Sequence, residues 1–161
     1  MPGRRFPPRR ARSACRLRWG AGRSGRARRR IRAAEPPAAP TAQRAGVVRA
    51  FKQAWEAKDI NALIGLLDPG ATVVADGGGL ASAALRPVEG GAQVARYLVD
   101  IAARAASNLT ILERTVNGQP GLVAQQDGVT VTVLAFDIAG DQIKHIWAIR
   151  NPDKLRPWTA R

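Results

Sequence analysis

From Gln43 onward apolar residues repeat with a helical period: Val47, Val48, Phe51, Ala54 and Trp55 share one side, and Arg49, Lys52, Gln53 and Glu56 occupy the other. The pattern predicts an amphipathic helix of about fourteen residues. Asp59 is a suitable N-cap for a second, shorter helix with Ile60, Leu63, Ile64 and Leu67 on one face, and Asp68-Pro69-Gly70 stops it. Thr72, Val73 and Val74 then mark a short strand over Ala71 to Ala75, broken by Asp76-Gly77-Gly78-Gly79. A third helix is predicted from Gly91 to Arg104, where Val94, Tyr97, Leu98 and Ile101 fall together.

The remainder reads as strands separated by turn chemistry: Leu109 to Val116, Gly121 to Gln126, Val129 to Ile138 and Gln142 to Arg150, with Asn117-Gly118, Asp127-Gly128 and Ala139-Gly140-Asp141 between them. Short connections make an antiparallel meander the economical topology. Helices first and a long twisted sheet afterwards predict an α+β roll with helices over the concave face. Within residues 129 to 138, Val129, Val131, Val133 and Ala135 alternate with Leu134, Phe136 and Ile138, so both faces carry apolar groups. One face is expected to meet the helices and the other a partner, either another domain or a second copy forming a homodimer through the sheet. In the last strand, alternation places Ile143, His145 and Trp147 on one face and Lys144, Ile146 and Ala148 on the other.

Charge divides the chain at the same place as the hydrophobic pattern. Of 161 residues, 26 are Lys or Arg and 12 are Asp or Glu, a formal net charge of +14. Residues 1 to 42 hold 13 Arg and one acid, Glu35, whereas residues 43 to 161 hold 13 bases and 11 acids. The excess therefore belongs to a tail of Arg, Ala, Gly, Pro and Ser, expected to be disordered when free, and the folded domain is placed at residues 43 to 158. Arg26, Arg28, Arg29, Arg30 and Arg32 are candidates for non-specific phosphate contacts with nucleic acid. An apolar h-region for secretion is lacking, and Pro7, Pro8, Gly20, Gly22 and Gly25 oppose the amphipathic helix of a transit peptide. No apolar run is long enough to span a membrane.

Candidate chemistry is sparse. One Cys and one His exclude an intramolecular disulfide and a Cys/His zinc site, and no metal or cofactor is expected. The glycine run could offer N–H groups to an anion, or be a turn in which Asp76 accepts backbone N–H groups. Its spacing matches neither a Walker loop nor a dinucleotide fingerprint. His145 could act as a general base oriented by Asp76 or Asp137 inside the cone, or be a hydrogen-bonded, half-buried residue beside Trp147. Cys15 lies in the tail, so no Cys/His nucleophile is credible. Asn151 precedes Pro152 and could cap a single helical turn beginning there.

Asp76-Gly77-Gly78-Gly79 and Asn151-Pro152-Asp153-Lys154-Leu155, in that order, resemble the C-terminal domain of bacterial extracytoplasmic-function sigma factors that carry a SnoaL-like extension, the SigJ-type group. Val48-Arg49-Ala50-Phe51, Leu66-Leu67-Asp68-Pro69, Val116-Asn117-Gly118-Gln119-Pro120-Gly121 and Ile149-Arg150 are similar to that group as well. The resemblance spans residues 43 to 158. It implies a cone-shaped roll of the nuclear-transport-factor-like superfamily that regulates the sigma factor from within, in the cytoplasm. Asp76, Gly77, Gly78, Gly79, Asn151, Pro152, Asp153, Lys154 and Leu155 would then be interaction residues contacting RNA polymerase core or the sigma regions. Ser24 to Arg32 is similar to the basic end of the last promoter-binding helix, within a possible remnant at residues 24 to 34. Trp19-Gly20-Ala21-Gly22 interrupts any helix leading to it, however, so no helix-turn-helix assembles and promoter recognition is not carried over. The expectation is a shortened chain, or one with a misassigned start. The alternative is a SnoaL-like small-molecule-binding protein, or an isomerase or cyclase, acting in the cone cavity.

Overall fold

The computed structural model describes residues 40 to 81 and 83 to 159. The Arg-rich tail lies outside the described residues, and with it the phosphate-contact candidates Arg26, Arg28, Arg29, Arg30 and Arg32 and the segment 24 to 34. Helix α1 (Thr41–Glu56) buries the five residues of its apolar stripe, Val47, Val48, Phe51, Ala54 and Trp55. Helix α2 (Ile60–Leu66) begins where the Asp59 carboxylate accepts the Ala62 N–H at 3.0 Å. Only Leu63 of that helix is buried; Ile60 and Ile64 lie partly in solvent. Then follow β1 (Leu67–Asp76), β2 (Val88–Glu89), α3 (Gly91–Arg104), β3 (Leu109–Val116), β4 (Gln119–Gln126), β5 (Val129–Ala139), β6 (Gln142–Ile149) and α4 (Pro152–Thr159).

The six strands form one sheet in the order β2-β1-β6-β5-β4-β3. Strands β3 to β6 are the expected antiparallel meander, but β1 joins β6 in parallel. β1 also starts earlier than predicted: Asp68-Pro69-Gly70 is absorbed as an irregularity between Leu67 and Thr72 rather than acting as a stop. Proline and glycine are tolerated in strands at such irregularities. Asp68 holds the kink, accepting the Gly70 N–H at 2.8 Å and pairing with Lys144 of β6. β2 was not foreseen, because two residues are too few to show a period.

Two bulges overturn simple alternation. Register slips between Asp137 and Ile138 of β5, which pair with His145 and Ile143, so Lys144 is the extra residue. Ile143 therefore turns inward beside Ile146 and is fully buried, instead of sharing a face with His145 and Trp147. A second slip leaves Val131 as an extra residue between Thr130 and Thr132, which pair with Gln125 and Ala124. Such bulges bend the strands and deepen the twist.

The inner face and helices α1, α2 and α3 enclose the main core. At its centre Phe51 is wholly buried, its ring 5.2 Å from Phe136 in an edge-on arrangement. Trp55 donates its indole N–H to the Leu98 carbonyl at 2.7 Å, tying α1 to α3. On the outer face, the apolar positions assigned to a partner are covered in part by the chain's own C-terminus. Helix α4, two turns rather than one, lays Leu155 and Trp158 against Val116, Val123 and Val133. Gly121 permits close packing in β4, since a Cβ there would stand 2.7 Å from the Leu134 carbonyl oxygen. Beside α4, Val74 and Trp147 remain about two-fifths exposed.

Phe51→Ala is expected to lower unfolding free energy by about 3 to 5 kcal/mol, the range for large aromatic truncations in a close-packed core. Urea denaturation followed by far-UV circular dichroism would measure it.

Candidate functional site

Strand β1 ends at Asp76 alongside the end of β6, with Asp76 opposite Ile149. The parallel pairing is extended by one bond, in which the Arg150 N–H donates to the Asp76 carbonyl at 2.7 Å. The Asp76 carboxylate is divided between two donors. Its Oδ1 accepts the Gly78 N–H at 2.9 Å, as the turn reading of the glycine run requires, and its Oδ2 accepts Lys154 Nζ at 2.6 Å. Gly78 has φ +60°, and a Cβ there would lie 2.5 Å from Asn151 Cγ. Asn151 in turn accepts the Asp153 N–H on its side-chain oxygen at 3.1 Å, capping α4. The two motifs, 75 residues apart from Asp76 to Asn151, are thus joined in one latch.

Within the latch the nine motif residues divide by exposure. Gly78, Gly79, Pro152, Asp153 and Lys154 face solvent, Gly77 and Leu155 are buried, and Asp76 and Asn151 are partly covered. Leu155 packs into the core beneath α4. Sequence reading missed Leu80 and Leu85, which follow the glycines and stand 76% and 102% exposed. Their signal was an apolar pair in a Gly- and Ala-rich loop with no period to bury it.

A cavity of about 980 Å³ opens at the same end of the cone. Its inner wall carries Trp55, Leu98, Ile101, Leu134, Ile146 and Ala148, and its rim Glu56, Lys58, Arg104 and Arg150. Ala83 and Ala84, from the loop after the glycines, also line it. His145 and Asp137 do not. They sit opposite each other on β6 and β5, both exposed on the outer face, where His145 Nδ1 shares a hydrogen bond of 2.5 Å with Thr72 Oγ1 and the imidazole lies 5.7 Å from the Trp147 ring. Alternation puts Ile146 on the opposite face, and the bulge at Lys144 puts Ile143 there with it. Asp76 lies at the strand end, bonded to Lys154 and Gly78, and is not a partner of His145. Among the described residues no group of three His, Cys, Asp or Glu side chains could hold a metal ion, and no helix is long and apolar enough to cross a membrane.

Against known proteins, no family model matches the chain and no curated protein matches it in sequence. Solved structures do resemble it. The extracytoplasmic function sigma factor SigJ of Mycobacterium tuberculosis superimposes with a TM-score of 0.60 at 24% identity, covering 82% of this chain and 48% of its own. The chain thus spans about half the length of that sigma factor. A de novo designed protein with a curved β-sheet gives a TM-score of 0.53 at 12% identity, covering 75% of this chain and 94% of its own. An NTF2-like protein from Burkholderia xenovorans gives 0.49 at 15%, covering 75% and 98%. The fold these likenesses share is an α+β roll, helices packed on a curved, mostly antiparallel sheet.

Hydrogen bonds from Lys154 and then Gly78 hold the Asp76 carboxyl below the usual carboxylate range. A depressed folded-state value means that this group stabilises the fold above its unfolded value of about 3.9, and that the contribution is lost as pH falls through the folded value. Asp76→Asn should therefore lower stability at pH 7, by a margin that shrinks below about pH 4; paired acid and neutral denaturation curves measure it. Gly78→Ala should cost about 1 to 2 kcal/mol for left-handed backbone and more for displacing Asn151. Gly79→Ala, with φ +74° and no atom within 4 Å of its Cβ, should cost only the backbone part.

Proposed function

We propose that this domain is a regulatory docking module of the SigJ type, which modulates transcription initiation by binding the sigma regions or RNA polymerase core. The observation that carries the reading is the latch. Two motifs distant in sequence are fastened into one corner, and the loop that follows the glycines presents Leu80 and Leu85 to solvent. Two solvent-facing leucines in the loop leaving a polar corner are candidate anchors for a protein partner. The sequence resemblance over residues 43 to 158 supplies the partner. The likeness to SigJ, of which this chain spans 48%, is consistent with a regulatory portion of a longer arrangement.

In this reading buried Leu155 and Gly77 shape the corner, while Gly79, Leu80, Leu85, Pro152 and Asp153 make contact. Lys154 has its ammonium on Asp76 and serves chiefly to hold α4 in place. The chain then acts by occupying a surface, and bond-making is not required of it.

The test is a pull-down of purified polymerase core, and separately of a sigma fragment carrying the two promoter-binding regions, on the immobilised full chain. Leu80→Asp with Leu85→Asp, and independently Asp153→Ala, should lower retention at least about tenfold, the effect of losing one interface anchor. Circular dichroism should be unchanged. Undiminished retention by both variants would refute the docking reading.

A further inference from the structure

The cavity owes its space to small side chains where a sheet ordinarily carries large ones. Ala75 of β1 and Ala148 of β6 are cross-strand partners and both line it, as does Ala102 of α3. Alanine is depleted from strands, and a branched side chain at either strand position would take up the room. The bulge in β5 adds chemistry to this space. By leaving Val131 as an extra residue between Thr130 and Thr132, it brings two consecutive side chains, Val131 and Thr132, to the cavity wall, where an unbroken ladder would show one. Tyr97 of α3 lines the same cavity. Tyr97 and Thr132 are half-buried, and among the described residues neither hydroxyl has a hydrogen-bond partner within the protein. Ser107 and Gln126, the other uncharged polar side chains of the lining, are solvent-exposed. The exposed ions of the rim are engaged on their own helices, Arg104 with the Asp100 carbonyl and Glu56 with Lys52, each at 3.1 Å. The volume of about 980 Å³ is that of a small-molecule site, and apolar walls with a few placed polar groups are the usual make-up of one.

We propose that the cavity binds a neutral amphipathic molecule, an aryl or alkyl alcohol or ketone, whose oxygen is bonded by the Tyr97 and Thr132 hydroxyls. Its apolar body lies against Ile101, Leu109, Val131 and Ala148, lining residues that are each only partly buried and so have surface left to cover. A hydroxyl both donates and accepts, so the pair serves either head group. A carboxylate or ammonium would give up its hydration for two neutral hydroxyls, and is selected against. This inference is independent of any polymerase contact.

The test titrates the full chain with 2-naphthol, with 2-methylnaphthalene, which carries a methyl group in place of the hydroxyl, and with 2-naphthoate. Ala148→Leu and, independently, Ala75→Leu should weaken both neutral ligands by filling the cavity, with each variant verified as folded by circular dichroism. The part of each affinity lost in these variants counts as cavity binding, which separates it from naphthoate held by the Arg-rich tail. By that measure 2-naphthol should bind at least about tenfold more tightly than 2-naphthoate. Tyr97→Phe with Thr132→Val keeps ring and branch but deletes both hydroxyls, and should weaken 2-naphthol about tenfold while leaving 2-methylnaphthalene unchanged. No binding of 2-naphthol, an equal loss of both neutral ligands in the hydroxyl-deleted variant, cavity binding of naphthoate as tight as that of naphthol, or naphthol binding untouched by both filling variants would each overturn the proposal.

Discussion

Asp76 makes three commitments at once, and the open end of the cone rests on them. Its carbonyl carries the β1 to β6 pairing one bond past the strands, and its carboxylate orders the glycine turn and anchors α4 through Lys154. β1 and β6 are separated by most of the domain in sequence, so no short connection holds them side by side. Their register depends on hydrogen bonds and on core contacts made by Leu67, Val73, Ile143 and Ile146. A charge-assisted bond at the end of such a pairing also determines where the chain goes next, and here it directs the last helix across the outer face.

The bulges do for the sheet what Asp76 does for its edge. An unbroken alternation in β6 would put Ile143 on the His145 side and leave an isoleucine facing solvent. The extra residue at Lys144 turns Ile143 inward and lets Lys144 reach Asp68, so one irregularity in β6 is fastened to another in β1. Curvature of this kind separates helices and strands enough to leave a cavity where a flatter sheet would pack shut. The outer face is meanwhile shielded by α4 over β4 and β5.

The corner at Asp76 and the mouth of the cavity occupy the same end of the fold. The loop after the glycines contributes Ala83 and Ala84 to the cavity wall, and Arg150 stands between the cavity and Asn151. The corner and the cavity wall therefore share backbone.

Helical periodicity identified α1 and α3 from their buried stripes, Asp59 declared the start of α2, and the Asn-Gly and Asp-Gly turns marked the meander. Each is a local effect, encoded within a turn of helix or a hairpin. The two motifs were legible as motifs, but not as neighbours, because their meeting depends on a parallel pairing that no short connection announces. The face of Ile143 was misjudged for a related reason: alternation predicts a face only while the ladder is unbroken, and the bulge at Lys144 breaks it. Residue types and local spacing thus determined the elements and the α+β class. The joining of Asp76 to Lys154 and the covering of the outer sheet by Leu155 arise from contacts between distant segments, whose energies exist only once the chain has folded.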